Sequence, residues 1–245
     1  MKSNVAERAK PPRVAQRPVQ APSVDLVRDV IEEAEQRDPT LAALLMLAAL
    51  TGMRRGELCA LRWSDIDLER GTLEVSRSVV VVVGGVADKS TKTDRSRTVA
   101  VDEVGIDLMQ RHHDLVLERI DEAGGTLPVD AFVFSPEVDS LIPYRPDNVT
   151  GFFIRVRDAV GAPEVRLHDL RHFTATQLIG AGVDVRTVAG RLGDSDPPSP
   201  FASTATPSKS VGRRQASWGT SSPNSARSRP SFLLPGDGTR CDDRR

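Results

Sequence analysis

Apolar positions first recur at helical spacing where Leu26, Val27, Val30, Ile31 and Ala34 share one face, with Ser23 as a hydroxyl cap ahead of them. The pattern predicts a helix from Ser23 that ends near Arg37 to Pro39. Thr40 to Leu50 is apolar nearly all round, which predicts a helix buried in the core and stopped by Gly52. A short helix carrying Leu58, Leu61 and Trp63 comes next. At Asp65 the period shortens, and Ile66, Leu68, Leu73 and Val75 predict strands about a turn at Glu69, Arg70 and Gly71. The β-rich run Thr72 to Val83 breaks at Gly84 and Gly85 and returns through ADKSTKTDRSRT to Val99 and Val101. This hairpin bears Lys89, Lys92, Arg95 and Arg97, charges that most often guard an edge against pairing with another chain.

In the second half, Asp102 is placed to cap a helix running to about Ala123, with His112 and His113 in its middle. Adjacent helical positions face different ways, so both histidines read as surface residues and not as metal ligands. Phe132 to Phe134 predicts a short strand, and Arg145 to Val160 a helix with Val149, Phe152, Phe153 and Val156 inward. Two more helices follow, about Asp169 to Ala181 and Val185 to Leu192, separated at Gly182. The sum is an α+β fold, mainly α, with one small antiparallel sheet and hairpin. Residues Met1 to Pro22, rich in Pro, Arg, Lys and Gln with no apolar period, predict a linker over 1–22. From Pro197 to Pro235 the chain is Ser, Pro, Thr, Arg and Gly without an acidic residue, which predicts a disordered tail over 197–245 and leaves one domain at 23–196.

Composition narrows the function classes. With 33 Lys and Arg against 34 Asp and Glu, the net charge is −1, so any nucleic-acid contact must come from a local patch. The two cysteines, Cys59 and Cys241, provide neither a disulfide framework nor metal-ligand spacing, which fits a reducing cytoplasm. The longest apolar run, Leu41 to Leu50, is too short to cross a bilayer, and the N-terminus lacks the apolar segment of a signal peptide. The expectation is a cytoplasmic protein without membrane contact.

Candidate chemistry gathers around VRLHDLRHFTATQLIGAGVDVRTVAGRLG, where His168 and Arg171 lie three residues apart and share a helical face. An imidazole beside a guanidinium suits a phosphate; the structural alternative is a capping histidine and an arginine paired with a carboxylate such as Asp169. Two distant features bear on the choice. Arg54, in TGMRRGEL, directly follows the Gly-terminated buried helix, and Lys92 sits in the hairpin run STKTDRSRTVAV. Two arginines, a lysine and a histidine can neutralise a phosphodiester passing through a five-coordinate transition state without a metal.

In these motifs the chain resembles the tyrosine recombinase, or phage integrase, family over about Ser23 to Gly193. Arg54 matches the family's first catalytic arginine, Glu57 its supporting acid, Lys92 the hairpin general acid, and His168 with Arg171 the second catalytic box in LHDLRHFTA. The resemblance implies a mostly helical catalytic domain on one face of double-stranded DNA. It also implies recombinase tetramers, and strand cleavage and rejoining through a 3′-phosphotyrosine, which needs neither ATP nor metal. Arg54, Lys92 and Arg171 would then also be DNA contacts, and no cofactor is expected.

Two departures qualify this. The position after Leu192-Gly193, His or Trp in the family, is Asp194, and no tyrosine follows Tyr144, which reads as a packing residue. No nucleophile is therefore assigned, and an inactive or impaired recombinase domain is expected. The alternative is a non-catalytic DNA-binding remnant that competes for recombination sites. A helix-turn-helix regulator, suggested by GVDVRTVAGRLGDSD, would leave Arg54 and Lys92 as coincidences. The composition change after Gly193 is read as a shifted frame from about Pro198. Reread from the third base of the Ser199 codon, suitable codons for Ser199 to Thr206 give Thr-Leu-Arg-Val-Tyr-Ser-His. Sequencing the gene there tests this, and no Tyr codon in that frame would sink it. Asn4 to Pro12 reads as the linker that follows the family's separate N-terminal domain, so a catalytic domain truncated at its start is expected, and loss of the usual C-terminal segment is expected to impair tetramer assembly.

Overall fold

The computed structural model describes residues 21–82, 85–90 and 96–194, with side chains left undescribed at 88–90. Residues 1–20 of the linker expected over 1–22, Lys92, Arg95 and the tail expected over 197–245 lie outside the described residues. Helix α1 (Val24–Arg37) starts where the Ser23 hydroxyl accepts the Leu26 N–H, and buries Val27, Val30, Ile31 and Ala34. Asp38 closes α1 with its backbone and opens α2 (Pro39–Thr51) with its carboxylate, which accepts the N–H groups of Thr40 and Leu41. Pro39 at the first turn costs α2 nothing, because that N–H has no helical partner. Helix α2 is buried on nearly every side against α1, α4 and α6, as its unbroken apolar run requires.

Helix α3 (Arg55–Ala60) and a 3-10 turn at Trp63–Asp65 lead into β1 (Ile66–Asp67), which pairs antiparallel with β2 (Thr72–Val75) across the predicted turn. The expected single long strand is interrupted at Ser76. Strand β2 pairs with β5 (Arg97–Ala100) in a three-stranded sheet of order β1-β2-β5, while β3 (Arg77–Val82) pairs with β4 (Gly85–Ser90) as a separate hairpin. Helices α4 (Glu103–Glu122) and α5 (Pro146–Ala159) follow their predicted bounds closely, as do α6 (Asp169–Gly180) and α7 (Val185–Leu192). The strand expected at Phe132 to Phe134 is reduced to a single antiparallel bridge between Phe132 and Arg62. That segment is a buried loop whose polar groups are met singly, with Phe132 N–H donating to the Ser140 carbonyl and Val133 N–H to the Leu61 carbonyl. No helix among the described residues is long and apolar enough to cross a membrane.

His112 is not a surface residue. It falls in the inward stripe of α4 with Met109, Val116 and Ile120, and the residue is 3% exposed. Its Nε2–H donates to the Val133 carbonyl at 2.8 Å, and its ring stacks on Phe134 at 5.1 Å. Burial holds its pKa below 6.5. The unfolded chain therefore binds more protons than the folded one below about pH 6.5, so stability is full above that pH and is lost as pH falls. Urea midpoints should decline between pH 7 and 5, and His112→Gln should flatten the decline. His168 and His172, whose pKa values are also lowered by desolvation, contribute in the same direction.

Cys59 sits inside α3 with no exposure, and burial pushes its thiol up to about 12. A thiolate is the reactive form. Peptide mapping after treatment with a maleimide at pH 8 should find Cys59 unlabelled in the native protein and labelled once it is unfolded in guanidinium.

Candidate functional site

The site is built at the C-terminal end of α2. Gly52 ends the helix in the left-handed region, at φ 67°, and a Cβ there would collide with Leu192 Cδ2. The left-handed backbone favours glycine, and any larger residue would also have to displace the Leu192 side chain of α7. Two residues on, Arg54 is extended and begins α3, and the side chain of Glu57 reaches back to accept its N–H at 2.8 Å.

Glu57 is the buried hub. Its carboxylate, 2% exposed, accepts Arg54 Nη1 at 3.0 Å and a fork from Arg97, with Nη1 at 3.0 Å and Nη2 at 2.6 Å. Burial pushes its pKa upward, but the hydrogen bonds and charge of Arg97, with help from Arg54, leave it below the ordinary value. It stays an anion. Arg97 also donates from Nε to the Arg191 carbonyl at 3.1 Å, tying the sheet to the last turn of α7. Gly193, at φ 73°, closes that turn directly against the Arg97 guanidinium, which a Cβ would meet at 2.9 Å.

Arg171 enters from α6, 6% exposed, and its Nη1 donates to the Gly52 carbonyl at 2.8 Å. Its Nη2 lies 2.6 Å from Asp194 Oδ2, and Arg54 Nη2 lies 3.0 Å from Asp194 Oδ1. Two guanidinium groups from opposite ends of the domain thus meet on one carboxylate. Arg171 does not pair with Asp169, whose carboxylate instead accepts the Arg166 N–H at 2.8 Å ahead of α6.

His168 stands at the start of α6 on the solvent side, its ring edge-on to His172 at 5.1 Å. Desolvation, then the neighbouring His172 and Arg171, lower its pKa, so it is neutral at pH 7 and able to donate or accept a proton. A cleft of about 380 Å³ opens beside it. Arg55, His168 and Arg171 are on its polar side, and Met53, Phe153 and Leu167 line its apolar side.

Of the residues singled out from sequence, Arg54, Glu57, His168, Arg171 and Asp194 converge here, and Lys92 lies outside the described residues. Tyr144 is elsewhere. It lines a separate hollow with Asp38 and Thr40 at the opposite end of α2, roughly 20 Å away at the rise of an α-helix. Burial, with Asp38 beside it, pushes its phenol up to about 12. Arg97 is the residue that sequence reasoning placed wrongly, as an edge charge. The available signal was its strand register, two residues from the fully buried Val99 and so on the same inward face.

Known proteins resemble this chain in sequence and in fold. A tyrosine recombinase XerC-like protein of Caldanaerobacter subterraneus is 31% identical over 169 residues, covering 64% of this chain and 43% of that protein. The ICEBs1 integrase of Bacillus subtilis is 32% identical over 151 residues, covering 60% of this chain and 39% of that protein. The chain thus spans less than half the length of either relative. Among solved structures, the Tn1549 transposon integrase in complex with transposon right end DNA superposes with a TM-score of 0.63 at 17% identity, covering 82% of this chain and 65% of that one. The model of the phage integrase family matches residues 23–198, and the chain belongs to that family.

Proposed function

We propose that this chain is the DNA-engaging catalytic domain of a site-specific recombinase or integrase of mobile DNA, one that grips and polarises a backbone phosphate but does not itself cut the strand. The meeting of Arg54 and Arg171 on a single oxyanion carries the reading, because a phosphodiester offers two non-bridging oxygens to the same forks. Glu57 holds Arg54 in place, and neutral His168 beside the clamp is the proton-handling group or third donor. Lys92, by its match to the family motif, would protonate the leaving 5′ oxygen as a tyrosine hydroxyl attacks phosphorus and the phosphodiester becomes a 3′-phosphotyrosine. The sequence contains a single tyrosine, Tyr144, and its place at the far end of α2 with a raised pKa favours binding without covalent chemistry. Such a protein would compete with active recombinases for their sites.

Incubation with duplex DNA carrying a suicide nick tests this. The expected result is salt-sensitive binding with no covalent adduct. Arg54→Ala should weaken binding and reduce the dependence of log affinity on log salt by about one. An adduct would overturn the non-cleaving reading, and its loss in Tyr144→Phe would make Tyr144 the nucleophile.

A further inference from the structure

The Asp194 carboxylate lies between the two arginines that the phosphate-clamp reading rests on. We infer that Asp194 is an internal stand-in for phosphate, filling the Arg54–Arg171 seat in the free protein and setting the affinity of that seat by competing for it. The inference rests on the phosphate-clamp reading and adds what controls it.

Several observations fit a built placeholder better than a chance surface contact. Each Asp194 oxygen faces a different guanidinium, Oδ1 at 3.0 Å from Arg54 and Oδ2 at 2.6 Å from Arg171, so one planar anion bridges both forks. The backbone presents it firmly. The Asp194 N–H donates to the Ala189 carbonyl at 3.0 Å, closing the end of α7, and Arg54 Nη2 holds the preceding Gly193 carbonyl at 2.9 Å. Arg171 is 7% exposed at its side chain and needs an anion beside it, whereas Asp194 is 28% exposed and faces solvent from which a phosphate could arrive. An anion attached to the same chain is present at high effective concentration, so an incoming phosphate must displace it and pays that competition in affinity.

The test uses inorganic phosphate as probe, followed by calorimetric titration, on the full chain. Asp194→Asn keeps the side chain's shape and removes its charge, and should bind phosphate at least tenfold more tightly than the unmodified protein. Asp121→Asn, an exposed carboxylate on α4, controls for net charge and should match the unmodified protein. Equal affinity in Asp194→Asn and the unmodified chain, or an equal gain in both variants, would overturn the inference. If Asp194→Asn does not fold, the unmodified protein decides through the ¹³C resonance of the Asp194 carboxyl carbon. A shift that saturates with phosphate supports displacement, and a static resonance overturns it. Duplex DNA forms a separate arm. A variant that gains affinity for phosphate but not for DNA would count against the DNA reading while leaving the stand-in intact.

Discussion

Glu57→Ala should cost about 3–5 kcal/mol of folding stability, the range for removing one partner from a buried charge pair. The carboxylate is 2% exposed and receives both arms of Arg97, itself 14% exposed, together with the side chain and N–H of Arg54. Removing it leaves Arg97 with the Arg191 carbonyl and no anion, in a place that water reaches poorly. Urea denaturation at pH 7 measures the loss. Acid should reproduce part of it in the unmodified protein. The folded pKa of Glu57 is depressed, so its contribution is complete above about pH 4.5 and is lost as pH falls through the folded value. A loss below 1 kcal/mol in Glu57→Ala would mean that Arg97 finds another anion and that Glu57 is not the hub.

Gly52→Ala should destabilise by about 2–4 kcal/mol, from the left-handed backbone at φ 67° and from overpacking against Leu192. The two costs are separable. Leu192→Ala in the Gly52→Ala background should recover the packing part and leave the backbone part, so a double-mutant cycle should show coupling above 0.5 kcal/mol. The Gly52 carbonyl also receives Arg171 Nη1, so relief by movement of the turn would shift Arg171 as well. A fall in phosphate affinity in Gly52→Ala larger than the fall in folded fraction would report that shift.

Helices were legible because caps and periodicity agree in this chain. Ser23 and Asp102, the caps expected from sequence, each accept an N–H from the first turn of the helix they precede, and Asp38 and Asp184 do the same without having stood out in the pattern. The sheet was less so. A run of valines carries no mark of where it changes partners, and on either side of Ser76 the chain pairs differently, β2 within the three-stranded sheet and β3 with β4 while packed on α3. In the site, Arg54, Glu57, His168 and Arg171 could be read from motifs, since each lies within a few residues of a recognisable helix end. Arg97 and Asp194 could not be assigned their partners. Their contacts cross 40 and 140 residues of sequence, where no local pattern reports them. His112 failed for another reason: a polar residue in a helix was assigned outward, although its spacing from Met109 and Val116 put it inward.

The all-round burial of α2 has a consequence for how this chain is made. Its covers come from α1, which precedes it, and from α4 and α6, which follow. The first residue of α6 is added more than a hundred residues after the last of α2, roughly 6 to 24 s later at ordinary rates of translation. During that interval the most apolar helix of the domain leaves the ribosome with part of its surface bare. Its last cover, α6, is also the segment that delivers Arg171, so the apolar surface is shielded and the arginine pair assembled in the same late step of synthesis.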